Sequence, residues 1–301
     1  MKMNQGIASK SIHQGYEFTD HDFRRLRELV YRYTGIRMAD NRRDLIYNRL
    51  SRRLSALGLA SFAEYREFVE QGHEEELEAF CNAVTTNHTA FFREAHHFDY
   101  LTDTLIPELL QRNRDRRRLR IWSAGCSSGE EPYTLAMVLR ESIPDLHNWD
   151  VRILATDIDS SVLARAVEGI YHWRNVKGIP DLRLKRWFQR GKGRHQGQVR
   201  VKPELRQMIC FRKMNLLEGW PMKGPLDLIF CRNVLIYFDQ ATQARLFERF
   251  SGILRPEGHL FIGHSESPMG LVDCYELIGK SIYRCKKKNT KPREESLPHE
   301  H

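Results

Sequence analysis

No apolar run in this chain of 301 residues approaches the roughly 20 that a membrane-spanning helix needs. The polar stretch Met1–Tyr16 lacks the apolar core of a signal peptide, so the expected compartment is the cytoplasm. Cysteine is sparse and scattered: Cys81, Cys126, Cys210, Cys231, Cys274 and Cys285 form no C-x-x-C pair and no cysteine–histidine cluster. A zinc or disulfide framework is thereby disfavoured, and free thiols in or near the core are expected. The phosphate-cradling pattern G-x-x-x-x-G-K-[ST] is missing too, which argues against triphosphate chemistry. Neither an internal repeat nor a low-complexity tract is present.

What is there is a folded-protein composition, 41% hydrophobic and 10% aromatic, with a formal net charge of +9. The excess predicts an acidic partner, whether nucleic acid, an anionic membrane surface or an acidic protein, and does not choose among them. Part of it sits in Arg112–Arg120 and Lys286–Arg293, which also read as a solvated linker and tail.

Residues 1–16 read as disordered. Thr19 or Asp20 can cap a first helix carrying Phe23, Leu26, Val30 and Tyr33, with Gly35 as its stop. A second helix is expected from about Asn41 to Leu57, ended by Gly58. Ser61-Phe62-Ala63-Glu64 is a capping box for a third, and a fourth spans about Glu75–Val84. This is a small all-helical unit. A longer helix, Phe98–Gln111, then leads into strand signals at Leu119–Ser123, Val151–Thr156, Ile209–Met214, Leu226–Cys231 and His259–Gly263. Helical segments at Pro132–Arg140, Ser161–Val167 and Ala241–Leu254 fall between most of them. Such alternation implies a mostly parallel sheet with helices on both faces. Tyr275–Cys285 reads as two short terminal strands. The irregular, glycine-rich stretch 170–207 is read as a small β-hairpin insert with Gln198–Val201 as one strand; a merely decorative insertion fits the residues equally.

Four constellations carry chemistry. Ser123-Ala124-Gly125-Cys126-Ser127-Ser128-Gly129 is a small-residue turn between strand and helix, where a nucleotide-like ligand can approach the backbone. It departs from G-x-G-x-x-G, and a tight turn without a ligand is the plain alternative. Asp157 closes the next strand, where an acid can accept both ribose hydroxyl hydrogens. Glu131, at a helix start, either complements the helix dipole or pairs with a cationic part of a ligand. After the fourth strand, Arg232 and Asn233 point to the cleft that open α/β sheets form beyond the carboxyl ends of their strands, and Tyr237 overhangs it or packs. Thr85–Glu94 joins the two halves and can fold across that cleft, offering Asn87, Thr89 and Arg93 as amide, hydroxyl and guanidinium.

Taken together, Thr85-Thr86-Asn87-x-Thr89-x-Phe91-Phe92-Arg93-Glu94, Ser127-Ser128-Gly129-Glu130-Glu131-Pro132-Tyr133, Ala155-Thr156-Asp157-Ile158-Asp159, Asn215-Leu216-Leu217 and Phe230-Cys231-Arg232-Asn233-Val234-x-Ile236-Tyr237-Phe238 resemble the CheR-type chemotaxis receptor methyltransferases, over about Phe18–Cys285. His264-Ser265-Glu266-Ser267 is similar to the family as well. The resemblance implies an α/β, Rossmann-like methyltransferase domain at 91–285 that uses S-adenosylmethionine (SAM) and carries the insert at 170–207. A helical domain at 17–90 precedes it and a polar tail at 286–301 follows. It implies cofactor-binding roles for Asn87, Thr89, Arg93, Glu131, Asp157, Asn215, Leu216, Arg232 and Asn233, with Arg93 and Tyr237 nearest the transferred methyl. Asn215 and Leu216 rest on the resemblance alone.

The implied reaction methylates a receptor glutamate, giving a methyl ester and S-adenosylhomocysteine (SAH). A glutamate is ionised at neutral pH, so the absence of an obvious catalytic His or Cys is expected. Arg49, Arg52 and Arg53 share one face of the second helix by i, i+3, i+4 spacing, while Leu45, Ile46, Leu50, Leu54 and Leu57 can face the core. Since the family sets a basic helix against its acidic receptor, the arginines are read as substrate-recognising; a solvated basic face is the alternative. The insert near Gly191–Val201 matches the place where some members dock a receptor C-terminal peptide by adding a strand. The expected partners are thus methyl-accepting chemoreceptors, with no nucleic acid, no metal and no membrane insertion, and the expected state is a monomer. Competing readings are a SAM-dependent RNA methyltransferase, against which no base-clamping Asn/Asp-Pro-Pro-Tyr/Phe run is found, and a non-catalytic SAM-binding scaffold.

Overall fold

The computed structural model describes residues 15–286. The disordered start expected at 1–16 lies almost wholly outside the described residues, as does the tail expected at 286–301. The chain divides into two compact units, one comprising residues up to Tyr33 and Met38–Val84, the other Thr34–Arg37 and the chain from Thr85 onward.

The first unit is all-helical: α1 (Asp20–Thr34), α2 (Arg43–Leu57), α3 (Phe62–Glu70) and α4 (Glu74–Val84). Its caps are readable in the sequence. The Asp22 N–H donates to Thr19 Oγ1 at 3.1 Å while the Thr19 N–H donates back to Asp22 Oδ2 at 3.0 Å. The same reciprocal pattern joins Ser61 and Glu64 at α3, with Ala60 supplying the returning N–H. Gly58 ends α2 in the left-handed conformation. Leu26, Val30, Ile46, Leu50, Leu54, Phe62, Tyr65 and Phe80 form the core. Leu57, expected to face it, is the last residue of α2, next to the Gly58 cap, and is exposed.

In the second unit, α5 (His96–Tyr100) and α6 (Ile106–Arg112) flank a π-helical turn at Leu101–Leu105, so the single helix expected over this stretch has a widened middle. Then come β1 (Arg118–Ala124), α7 (Glu130–Ser142), β2 (Asp150–Asp157) and α8 (Ser160–Glu168). The insert holds β3 (Ile170–His172), α9 (Trp173–Val176), α10 (Asp181–Trp187), β4 (Phe188–Arg190), β5 (Gln198–Val201) and α11 (Pro203–Arg206). The unit closes with β6 (Ile209–Lys213), β7 (Leu226–Cys231), α12 (Gln240–Ile253), β8 (Leu254–Ile262), β9 (Tyr275–Gly279) and β10 (Ile282–Cys285).

The main sheet has the order β6-β2-β1-β7-β8-β10-β9. The strands from β6 to β8 run parallel, and β10 and β9 add antiparallel at one edge, as the terminal pair suggested. Both faces are buried, and the parallel strands show why they read as apolar runs. Leu119 and Ile121 of β1, with Leu228 and Phe230 of β7, enter one core with α7. Trp122, Ala124, Ile229 and Cys231 enter the other with Phe247 and Phe250 of α12. The insert is a three-stranded antiparallel sheet of order β3-β5-β4. The expected hairpin is the β4–β5 pair, and β3, at three residues too short to show alternation, pairs with the other edge of β5.

Candidate active site

Strand order reverses between β1 and β7: from β1 the chain moves out to β2, and the later strands fill the other side. At such a switch point the loops leaving the carboxyl ends part and leave a crevice. Here it is a cleft of about 1090 Å³, counting its solvent-open mouth. Its walls come from the carboxyl ends and following turns of β1 (Gly125, Ser127), β2 (Asp157, Ile158), β6 (Met214 to Leu216) and β7 (Arg232 to Val234 and Ile236 to Phe238), together with Thr34, Ile36, Thr85 to Ala90 and Arg93. Asn87, Thr89, Arg93, Glu131, Asp157, Asn215, Leu216, Arg232, Asn233 and Tyr237 all line it.

The glycine turn brings backbone to the cleft floor. Gly125, at φ +79°, lies so close to the β7 loop that a Cβ there would fall 2.3 Å from Val234 Cγ2. Its N–H and that of Cys126 both donate to the Thr156 carbonyl, which ties the β1 and β2 ends together. Asp157 is buried at the end of β2. The Ser127 N–H donates to its Oδ2 at 2.8 Å and the Asp159 N–H to its Oδ1 at 3.0 Å. A carboxylate has about four acceptor positions, so two backbone donors fix its plane and leave acceptors for hydroxyls in the cleft. Burial pushes Asp157 up to about 6, with the backbone donors working against that rise.

Asp159 was not singled out by the sequence. Its Oδ1 caps α8 through the Ser161 and Val162 N–H groups. Its Oδ2 accepts from Thr85 Oγ1 at 2.7 Å and from Asn87 Nδ2 at 2.6 Å. The Thr85–Asn87 segment is thereby fastened along the cleft, and the Asn87 amide is engaged in that fastening. Beyond it, Phe92 and Glu94 hold positive φ of 54° and 55° on either side of Arg93. Two non-glycine residues in the left-handed region cost energy that the surrounding contacts must hold. Phe91 packs edge-on against Tyr171 and Phe188, Phe92 against Phe98, and the Phe92 N–H donates to Thr134 Oγ1. Arg93 Nη1 donates to the His88 carbonyl at 2.8 Å, folding the guanidinium back along the segment.

Arg232 is nearly inaccessible, its side chain 3% exposed, and sits between two carboxylates: Glu131 at 3.3 Å and Glu94 at 3.2 Å. It also donates to the Arg93 carbonyl and lies over the Phe98 ring. Glu131 Oε1 accepts from Ser123 Oγ at 2.7 Å. Burial raises Glu131 from the ordinary range, with Arg232 opposing it. Asn233 adopts φ +58°, a turn caged by the buried Glu266, whose carboxylate accepts from the N–H groups of Gly263, Asn233 and Ile236. Glu94, Asp159 and Glu266 are thus site residues that individual assignment from sequence missed, although each falls inside a motif quoted there. On β6's far side, the Leu216 carbonyl accepts from Arg249 Nη1 and Trp220 Nε1, while Asn215 Oδ1 accepts from the Leu217 N–H.

The three arginines of α2 lie in the other unit and separate there. Arg53 pairs with Glu76, whose side chain is 4% exposed, and Tyr65 donates to the same carboxylate. Arg49 Nη1 donates to the Ala83 carbonyl at 3.0 Å, and Arg52 is exposed. Two of the three are therefore tied to α4 while remaining partly exposed. Among the described residues no group of acidic, histidine or cysteine side chains is arranged to hold a metal ion, and no helix is long and apolar enough to cross a membrane.

The donor set of the cleft fits SAM: an anchored carboxylate for a ribose diol, Ile158, Met214, Leu216 and Val234 for a flat apolar ring, and a second carboxylate, Glu131, for a cationic end. Relatives agree. Residues 87–283 match the CheR methyltransferase SAM-binding domain and residues 21–85 its all-alpha domain. The chain is 47% identical to chemotaxis protein methyltransferase 2 of Pseudomonas aeruginosa, over 90% of this chain and 95% of that one. It is 44% identical to the chemotaxis protein methyltransferase of Escherichia coli, over 89% and 92% of the two chains. Against that of Borreliella burgdorferi it is 42% identical, over 90% and 95%. With both domains matched in order and the sheet, insert and cleft in place, the chain belongs to the CheR family of SAM-dependent methyltransferases.

Proposed function

We propose that this protein transfers a methyl group from SAM to glutamate side chains in the cytoplasmic region of methyl-accepting chemoreceptors, acting as a monomer in the cytoplasm. The observation that carries the reading is the convergence of ten separately placed side chains, from Asn87 to Tyr237, on one cleft at the carboxyl ends of the parallel strands.

When bound, SAM supplies an electrophilic methyl on a sulfonium sulfur. The acceptor carboxylate is ionised at neutral pH, so no residue need remove a proton. The chain's task is binding, alignment and exclusion of water, for which effective molarities of ~10⁵ M are attainable. Asp157 takes hydroxyl donors. Glu131, held by Ser123 and Arg232, faces positive charge. Arg93 and Tyr237, both on the cleft wall, would lie nearest the transferred methyl, where Arg93 could orient a carboxylate through its forked donors. Arg52 is the α2 arginine presented for an acidic receptor, and the exposed edges of the insert sheet can take a C-terminal receptor peptide as an added strand. We read the ten-residue convergence as a working site, which disfavours a scaffold; no feature of the cleft calls for a nucleic-acid acceptor.

Methyl transfer from radiolabelled SAM to receptor-containing membranes, followed by mild alkali, tests this. Label released as volatile methanol means a carboxyl methyl ester. Label that stays bound points to another acceptor atom and refutes the assignment. Arg93→Ala is expected to abolish transfer while the fold persists, and near-normal turnover would remove Arg93 from its role.

A further inference from the structure

Glu94 does not itself line the cleft, yet four polar side chains approach it, two of which, Arg232 and Asn233, do. Its Oε2 lies 3.2 Å from Arg232 Nη2 and its Oε1 3.3 Å from His264 Nδ1. Asn233 Nδ2 approaches the same Oε1 at 3.5 Å, and His97 Nδ1 approaches Oε2 at 3.5 Å. It is reached through a turn that places Glu94 and Phe92 in the left-handed region, a conformation unfavourable for both side chains. Spending strain to bring a carboxylate behind Arg232, when Glu131 already pairs with that guanidinium, calls for a reason.

Charge counting supplies one. A single buried guanidinium paired with Glu131 alone is neutral, and only the Arg93 carbonyl and the Phe98 ring would hold Arg232 back from the ligand space. With Glu94 on its far side and the Arg93 carbonyl accepting from it, Arg232 is held back, and two carboxylates against one guanidinium leave one net negative charge. The neighbouring histidine does not cancel it: burial lowers His97 to about 3, so that ring is neutral. Burial works to raise Glu94, but Arg232 and His264 outweigh it and hold the carboxyl below the ordinary range.

We infer that Glu94 is a positioning residue that anchors Arg232 from behind and gives the cleft its surplus negative charge, so that it favours a cationic ligand over the same ligand without its charge. This rests on the cofactor reading above. SAM and SAH are the matched pair, since they differ by the methyl and the sulfonium charge. One unit charge within ~10 Å at an effective dielectric of ~20 corresponds to roughly ten-fold in affinity.

The test is calorimetric titration of SAM and, separately, SAH into the full chain and its Glu94→Gln variant at low salt, with near-UV circular dichroism to check the fold. The expected result is a loss of roughly ten-fold for SAM with SAH changed less than about two-fold. Equal losses for both would mean Glu94 merely supports the structure, and unchanged affinities would mean its charge is not felt; either overturns the inference. If the wild-type chain binds neither compound, the cofactor reading itself falls, and the inference with it. Should the Gln variant not fold, Glu94→Asp keeps the charge on a shorter arm: an unchanged SAM-to-SAH affinity ratio supports the inference, and a ratio shifted toward SAH overturns it.

Discussion

A carboxylate that must meet ligand hydroxyls in a dry cleft is under two opposing demands, and Asp157 shows both. Burial raises it to about 6, while the Ser127 and Asp159 amides favour the ionised form and keep the shift from growing. The sign follows directly. Above about pH 6 Asp157 is ionised and offers only acceptors; below it a proton occupies an acceptor position that a ribose hydroxyl needs. Hydroxyl donors favour the ionised form, so binding and protonation compete. SAM affinity should therefore be level at pH 7–8 and fall as pH drops through about 6, by at most ten-fold per unit. Calorimetry across that range checks it, and a flat profile down to pH 5 would show that Asp157 does not meet the ligand. The residue was legible because a strand-ending acid after a glycine turn is a local pattern. Glu94 was not, because its partners His264 and Asn233 lie 170 and 139 positions away. The same holds for Asp159, whose ligands Thr85 and Asn87 are 74 and 72 positions removed.

Elements are where sequence spacing and tertiary packing part company. The i, i+3, i+4 rule correctly places Arg49, Arg52 and Arg53 on neighbouring sides of α2, but it does not say what stands opposite. In the fold α4 stands there, and it brings Glu76, a buried carboxylate that Arg53 and Tyr65 both satisfy. Arg53→Glu would leave Glu76 buried beside a second negative charge. Glu76 is buried but Arg53 is 33% exposed, so solvent screens the pair and the loss should be about 1–3 kcal/mol, that of a buried charged acceptor left unsatisfied. The helical unit should lose that much in denaturant unfolding, whereas Arg52→Glu, at an exposed position, should stay within about 0.5 kcal/mol of wild type. Receptor recognition is consequently better probed at Arg52, since a raised KM in Arg53→Glu would not separate lost recognition from a loosened α2–α4 pair. Equal stability of the two variants would show that the Arg53–Glu76 contact contributes little. Caps and long strands were readable for a similar reason: Thr19 with Asp22, Ser61 with Glu64, and the apolar runs of β1 and β7 express local rules. The three-residue β3 carries no period, and the π turn between α5 and α6 has no composition signal.

For the whole molecule, the chain order and the compact units do not coincide. Four residues, Thr34–Arg37, leave the helical unit's run of sequence and belong to the α/β unit, where Thr34 and Ile36 line the cleft. The Arg37 N–H donates to the Tyr237 carbonyl at 2.7 Å, so this short segment braces the loop that carries Tyr237. Gly35 makes the approach possible. It holds φ +71°, and a Cβ there would lie 2.0 Å from Leu217 Cδ1 and 3.3 Å from Phe238 Cε1. Gly35→Ala thus has two costs: left-handed strain of ~1 kcal/mol, and a clash that pushes the segment off Leu217 and Phe238. Gly72, at φ +81° with open space where a Cβ would sit, bears the first cost alone. Both variants should lose about 1 kcal/mol of stability from strain, but only Gly35→Ala should weaken SAM binding, by roughly five- to ten-fold, through displacement of the cleft wall. Calorimetry on the two variants side by side decides it. If Gly72→Ala weakens binding as much, the effect is general destabilisation; if neither does, the Thr34–Arg37 strap is not part of the ligand site. A positive result would mean that four residues inside the stretch the family match assigns to the all-alpha region help to build the α/β unit's own pocket, so that the continuous run from Thr85 onward does not encode the complete site.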